Sequence, residues 1–119
     1  MQMAHVTIMT KCLDESVKFY EKELGLSIIA EMRANSAQQI VFLGDKSGGT
    51  HVELIANPDA AYTGSGISMG FAIENIDQEY AKKKDEGLAV GPMISPNPKT
   101  KFFFVKDPNG VDIQFIQQA

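Results

Sequence analysis

The chain has 119 residues, 44% of them apolar, enough for one domain to bury a core without help from disulfides or metals. Eleven Lys and Arg against fifteen Asp and Glu leave a net charge of −4, which argues against a nucleic-acid binder and its basic stripe. The single cysteine, Cys12, excludes an intramolecular disulfide and a multi-thiolate zinc site, and no apolar run approaches bilayer length.

Residues 4–11 partly alternate, as a strand does. Asp14 then offers a helix N-cap, Val17, Tyr20 and Leu24 fall at helical spacing, and Gly25 stands where a helix end favours a left-handed residue. This predicts a helix over 14–24. Strands are expected over 26–33, 37–44 and 50–56, with a turn at Asp45–Gly49. Residues 57–66 are rich in Pro, Gly, Asn and small side chains and read as a linker. The pattern then restarts. A strand is expected over 67–74, a helix capped by Asp77 and ending at Gly87, and strands near 90–94, 100–106 and 111–117. Asp107-Pro108-Asn109-Gly110 is a turn signal between the last two strands. Lys82, Lys83 and Lys84 form the one basic run and read as a solvated helix face.

The order strand, helix, three strands occurs twice, and the helix-ending Gly25-Leu26 returns as Gly87-Leu88. This looks like a duplication too diverged to show as identity. The fold class expected is α+β. Two βαβββ modules, 1–57 and 67–119 joined by a linker over 58–66, form a curved, cupped mixed sheet with helices on its outer face. The pair is treated as one domain of residues 1–119.

Alternation assigns the faces. Val6 and Ile8 oppose His5, Thr7 and Met9; Val52 and Leu54 oppose His51, Glu53 and Ile55. Met69, Phe71 and Ile73 oppose Ser68, Gly70 and Ala72; Val111, Ile113 and Phe115 oppose Asp112, Gln114 and Ile116. The apolar sets suit a core beneath the helices. The smaller, more polar sets suit either a pocket or a solvated face. The duplication favours the pocket, because His5 and Ser68 occupy matching places in the two first strands, and Glu53 and Gln114 in the two last. Glu53, in an apolar strand, needs a partner, a metal or water.

The chain resembles the vicinal oxygen chelate superfamily, which includes glyoxalases, bleomycin-resistance proteins and extradiol dioxygenases. The resemblance is carried by His5 and its strand, Leu13–Leu26 (LDESVKFYEKELGL), Thr50–Ile55 (THVELI) and Phe103–Ile116 (FFVKDPNGVDIQFI). Within it the chain is similar to glyoxalase-like members. The resemblance implies a cupped site where four side chains converge on a divalent metal (Zn, Ni, Mn or Fe). The corresponding positions are His5, Glu53, Ser68 and Gln114. His5 and Glu53 match the lyase pattern. Ser68 stands where His is expected, and Gln114 where Glu is expected. A serine hydroxyl is a poor ligand for Zn²⁺ or Ni²⁺, and an amide brings no charge. Gln114 also cannot accept the proton that a metal-bound glutamate takes there, which leaves Glu53 as the catalytic carboxylate.

Three readings follow. The first is a metal-dependent lyase or isomerase acting on a small carbonyl compound through His5, Glu53 and Gln114. The basic residues argue against standard lactoylglutathione lyase activity, because Arg33 is the one arginine, and only Lys11, Lys99 and Lys101 remain as candidates to hold glutathione's two carboxylates. The second is a metal-free binding module that sequesters a small aromatic or cationic molecule, as bleomycin-resistance proteins do. The third, an extradiol dioxygenase, needs His51 to join His5 and Glu53 as a substitute ligand. Further pocket candidates are Thr7, Met9, Phe42, Ser68, Tyr62 as a lid, and Phe104. Cys12, at a strand-to-helix junction, has no base to pair with and is assigned no catalytic role. A cytoplasmic homodimer with a small-molecule ligand, and no nucleic-acid or membrane partner, completes the expectation. The N-terminus lacks the basic and apolar regions of a signal peptide.

Overall fold

A computed structural model describes residues 1–33 and 38–118. Ala37, the first residue of the strand expected over 37–44, lies outside them. The chain divides into two compact units, Met1–Thr63 and the remainder from Gly64. Each is a βαβββ module with a four-stranded mixed sheet, and the fold is α+β.

The first unit contains β1 (His5–Thr10), α1 (Leu13–Leu24), β2 (Ser27–Met32), β3 (Ile40–Gly44) and β4 (His51–Ala56). The sheet order is β1-β4-β3-β2, with β1 and β4 parallel and the other neighbours antiparallel. α1 is the crossover that a parallel return requires. Its stripe of Leu13, Val17 and Tyr20 is buried, together with Ile8, Val41, Leu43, Val52 and Leu54 of the sheet. The pairs Val41–Leu54 and Leu43–Val52 lock the register of β3 on β4. A one-residue slip would turn this whole set to the wrong face. β2 is the exposed edge, carrying a bulge between Ile28 and Ala30.

The second unit repeats the plan with β5 (Ser68–Ala72), α2 (Ile76–Asp85), β6 (Ile94–Asn97), β7 (Thr100–Lys106) and β8 (Asp112–Gln118) in the order β5-β8-β7-β6. Phe103, Val105, Val111, Ile113 and Phe115 form its core with Ile76. Phe103 stacks on Phe115 at 4.9 Å and meets Tyr80 edge-on at 4.9 Å. The buried Asp107 carboxylate accepts from the N–H groups of Asn109 and Val111 at 2.8 and 2.9 Å, and so builds the expected turn. The linker contains a single 3₁₀ turn, Pro58–Ala60.

Four expectations are corrected. α1 starts at Leu13, and Asp14 lies in its first turn instead of capping it. The chain enters the helix through Cys12, whose N–H donates to Thr10 Oγ1 at 3.0 Å. α2 is capped by Asn75, whose side chain accepts from Gln78 N at 3.2 Å, and not by Asp77. Its first residue, Ile76, is fully buried, and that burial fixes the start one residue earlier. The strand expected near 90–94 runs over Ile94–Asn97, because Gly91 spends its N–H on the Phe104 carbonyl in a loop contact at 2.9 Å. The lysine run is not uniformly solvated. Three consecutive positions point 100° apart around the helix, and Lys83 is the one turned inward. It is 0% exposed, pairs with Glu79 at 3.1 Å and lies over the Phe115 ring.

Candidate functional site

In the first unit the polar face of the sheet is built by neighbouring strands in register. Thr7 of β1 is the Cα partner of Glu53 of β4, which in turn faces Phe42 of β3. His5, two residues before Thr7, shares its face and is the partner of His51. The strand alternation that puts Val52 and Leu54 into the core therefore turns Glu53 toward this group. Glu53 is buried, and its Oε1 accepts a hydrogen bond from the Thr7 hydroxyl. His5 Nε2 lies 3.4 Å from the same oxygen, and its ring meets Phe42 edge-on at 5.6 Å. Both polar contacts thus fall on Oε1, and Oε2 takes part in neither. Met9 lies further along β1, half-buried.

His51 takes a different course. Its ring lies against Gly44 of β3, so closely that a Cβ at Gly44 would stand 2.6 Å from His51 Cδ2. The missing side chain of Gly44 makes room for the imidazole. Among the described residues no three His, Cys, Asp or Glu side chains are grouped to hold a metal. The triad of His5, His51 and Glu53 that a dioxygenase reading needs is therefore not assembled.

A recess of about 640 Å³ opens beside the two histidines, bounded by Gln2–Ala4 and by Gly48–Thr50. The loop is shaped by Asp45, which accepts from both the hydroxyl and the N–H of Ser47, and by Gly48 at φ 74°. Those hydrogen bonds hold the Asp45 carboxyl below its ordinary value. Tyr62, the lid candidate, is half-buried and tied to β1 through its N–H on the Met9 carbonyl at 2.9 Å.

In the second unit Ser68 is exposed on the face it shares with Gly70 and Ala72. Gln114 pairs with Gly70 on one side and with Phe104 on the other. Its Oε1 would stand 3.0 Å from a Cβ at Gly70. Phe104 packs edge-on against Phe102 at 5.8 Å and borders an apolar recess of about 460 Å³ with Leu88–Gly91. Two features escaped sequence reasoning: the cradles at Gly44 and Gly70. The signal existed: Gly44 ends β3 and Gly70 stands inside β5, and a glycine in or at the end of a strand marks a place where another group can approach closely.

The donor chemistry suits a cation only in part. Two ligands at 2.0–2.1 Å on a tetrahedral ion lie about 3.4 Å apart, and His5 Nε2 and Glu53 Oε1 are 3.4 Å apart. This pair fits two adjacent coordination positions. In the second unit, Ser68 and Gln114 offer a hydroxyl and an amide, both neutral oxygens. Of the candidate basic residues, Arg33 pairs with Asp14 and Lys101 with Asp77 at 3.1 Å.

The model of the Glyoxalase/Bleomycin resistance protein/Dioxygenase superfamily matches residues 2–115, and the chain belongs to that superfamily. A Vibrio cholerae relative named as a probable lactoylglutathione lyase is 30% identical over 125 residues, covering 98% of this chain and 90% of its own. The lactoylglutathione lyase of Neisseria meningitidis (serogroup A) is 28% identical over 128 residues, covering 99% and 91%. Among solved structures, the trypanothione-dependent glyoxalase I of Leishmania major superposes with a TM-score of 0.80 over 98% of this chain and 86% of that one, at 23% identity. TnmS3, an antibiotic-binding protein from Streptomyces sp. CB03234, superposes with 0.76 over 100% and 97%, at 19% identity. These two structural likenesses speak to the fold. No described helix is long and apolar enough to cross a membrane.

Proposed function

We propose that this chain is a glyoxalase-like lyase or isomerase acting on a small carbonyl compound, with Glu53 as the group that moves the proton. The observation that carries this reading is the buried Glu53 carboxylate, with the Thr7 hydroxyl and His5 Nε2 on one of its oxygens. Shifting a proton on the carbon next to a carbonyl requires a base within reach and a stabiliser for the oxygen that gains charge. His5 and Glu53 would hold a divalent cation (Zn, Ni, Mn or Fe), with Gln114 as a third, neutral ligand and Ser68 at the fourth position. Bound there, the cation supplies Lewis-acid polarisation of the carbonyl oxygen. Glu53 takes the proton and returns it, while Phe42 and its contact with His5 keep water from one side. With one imidazole and one carboxylate as the strong donors, the cation is held weakly. Arg33, the one arginine, and Lys101 are already held in ion pairs, which favours a substrate without the two carboxylates of glutathione.

A second reading is favoured by Ser68 and Gln114 themselves. Without a full donor set, the same site binds a small aromatic or cationic molecule and turns nothing over. TnmS3, with the same fold, is an antibiotic-binding protein.

Thermal melting in Ni²⁺, Zn²⁺, Mn²⁺ and Fe²⁺, on wild type and His5→Ala, separates the two. A cation at a hundred times its Kd stabilises by about 2.7 kcal/mol, a shift of several degrees. A shift lost in His5→Ala supports the lyase. No response to any cation supports the binder. The assembly proposed is a homodimer, with modules paired within a chain or exchanged between two. A monomer in sedimentation equilibrium at micromolar concentration overturns it.

A further inference from the structure

We infer that Thr7 is a positioning residue for Glu53: its hydroxyl fixes the carboxylate so that Oε1 is shared with His5 and Oε2 is turned to the reacting group. The inference rests on the reading of Glu53 as the working carboxylate. It begins with register. Thr7 and Glu53 are Cα partners in the parallel β1/β4 pair, so the two side chains leave the same face side by side. Threonine is branched at Cβ and stiff about χ1, so its hydroxyl is held in place at little entropic cost.

The hydroxyl donates to Glu53 Oε1. His5 Nε2 approaches the same oxygen at 3.4 Å but remains the more exposed partner, with 42% of its side chain accessible against 11% for Glu53. A carboxylate as buried as that of Glu53 requires donors. His5 contributes one only in the tautomer or charge state that puts a proton on Nε2. Thr7 contributes one in every state, including when Nε2 is occupied by a cation. With two contacts on one oxygen the carboxylate plane is no longer free to turn about its last bond, and the identity of the outward oxygen is set. Hydrogen bonds that orient a ligating carboxylate are a general requirement of metal sites. Thr7 fills that place with a residue that neither ligates nor titrates.

Thr7→Val keeps the branched shape and removes the donor. Thr7→Ser keeps the donor and removes the methyl group. Two quantities are measured for each: the ¹³Cδ resonance of Glu53 at fixed pH, assigned by its loss in Glu53→Gln, and the affinity for Mn²⁺ or Ni²⁺ by calorimetry. The expected result is a displaced Glu53 resonance in Thr7→Val and a cation affinity lower by roughly 10- to 100-fold, with both restored in Thr7→Ser to within about threefold. A purely space-filling role predicts the reverse order, with valine the better substitute. A Glu53 resonance and a cation affinity unchanged in Thr7→Val overturn the inference. If the wild type takes up neither cation while the resonance still follows the hydroxyl, the positioning stands and the metal reading falls. Should Thr7→Val fail to fold, Thr7→Ala serves as the donor-free variant.

Discussion

Glycine is the residue that decides where the site's longer side chains rest. At Gly44 the absent Cβ accommodates the His51 ring, and at Gly70 it accommodates the Gln114 amide. The second case is a direct probe of whether Gln114 takes part in binding. A Cβ at Gly70 would stand 3.0 Å from Gln114 Oε1, closer than ordinary contact, so the amide must give way by a few tenths of an ångström. Gly70→Ala therefore displaces one carbonyl oxygen without touching a charge. The protein is expected to lose no more than about 1–2 kcal/mol of stability, a mild overpacking cost. If Gln114 is a ligand, the affinity for Mn²⁺ or Ni²⁺ should fall measurably in Gly70→Ala. Calorimetry on both proteins reads the difference. An unchanged affinity removes Gln114 from the ligand set.

At the scale of elements, the two helices begin by different devices. α1 has no side-chain cap and relies on Asp14 and Glu15 in its first turn, where carboxylates meet the positive end of the helix dipole. α2 has a true cap, Asn75, accepting from Gln78 N. Asn75→Ala should therefore cost about 1 kcal/mol in urea denaturation, while Asp77→Ala costs only a few tenths. Equal losses would contradict the assignment. The sequence made α1 legible through the spacing of Val17, Tyr20 and Leu24, and both helices through the glycines that follow them. It misplaced both caps, because Asp14 and Asp77 are good capping residues by type, whereas burial of Leu13 and Ile76 sets where the helices begin. The same limit hid Lys83. Its type favours solvent, and only the helix phase together with Phe115 and Glu79 brings it inside. For the site, alternation was enough to put His5, Thr7 and Glu53 on one face. It could not say that His51 would turn to Gly44, since that depends on a side-chain volume missing from the next strand.

For the whole molecule, the duplication divides both the core and the proposed ligands. Met1–Thr63 contains His5 and Glu53, and the unit from Gly64 contains Ser68 and Gln114. Each unit has about half the 119 residues and one four-stranded sheet backed by one helix. A chain of about 60 residues buries only about 60% of the surface its unfolded form exposes and is marginal as a fold. In each unit one edge strand is exposed along its whole length, with Ile28, Ile29 and Met32 on β2 and Ile94 on β6 accessible. These terms predict that residues 1–63 and 64–119, expressed separately, unfold without a cooperative transition, while the intact chain shows one. Calorimetric melting of the three proteins is the test. A sharp transition in either fragment would mean that a single βαβββ unit stabilises itself. The His5–Glu53 pair, with the Thr7 hydrogen bond, could then be studied in the first fragment apart from Gln114. If both fragments melt without cooperativity, neither βαβββ unit folds without the other.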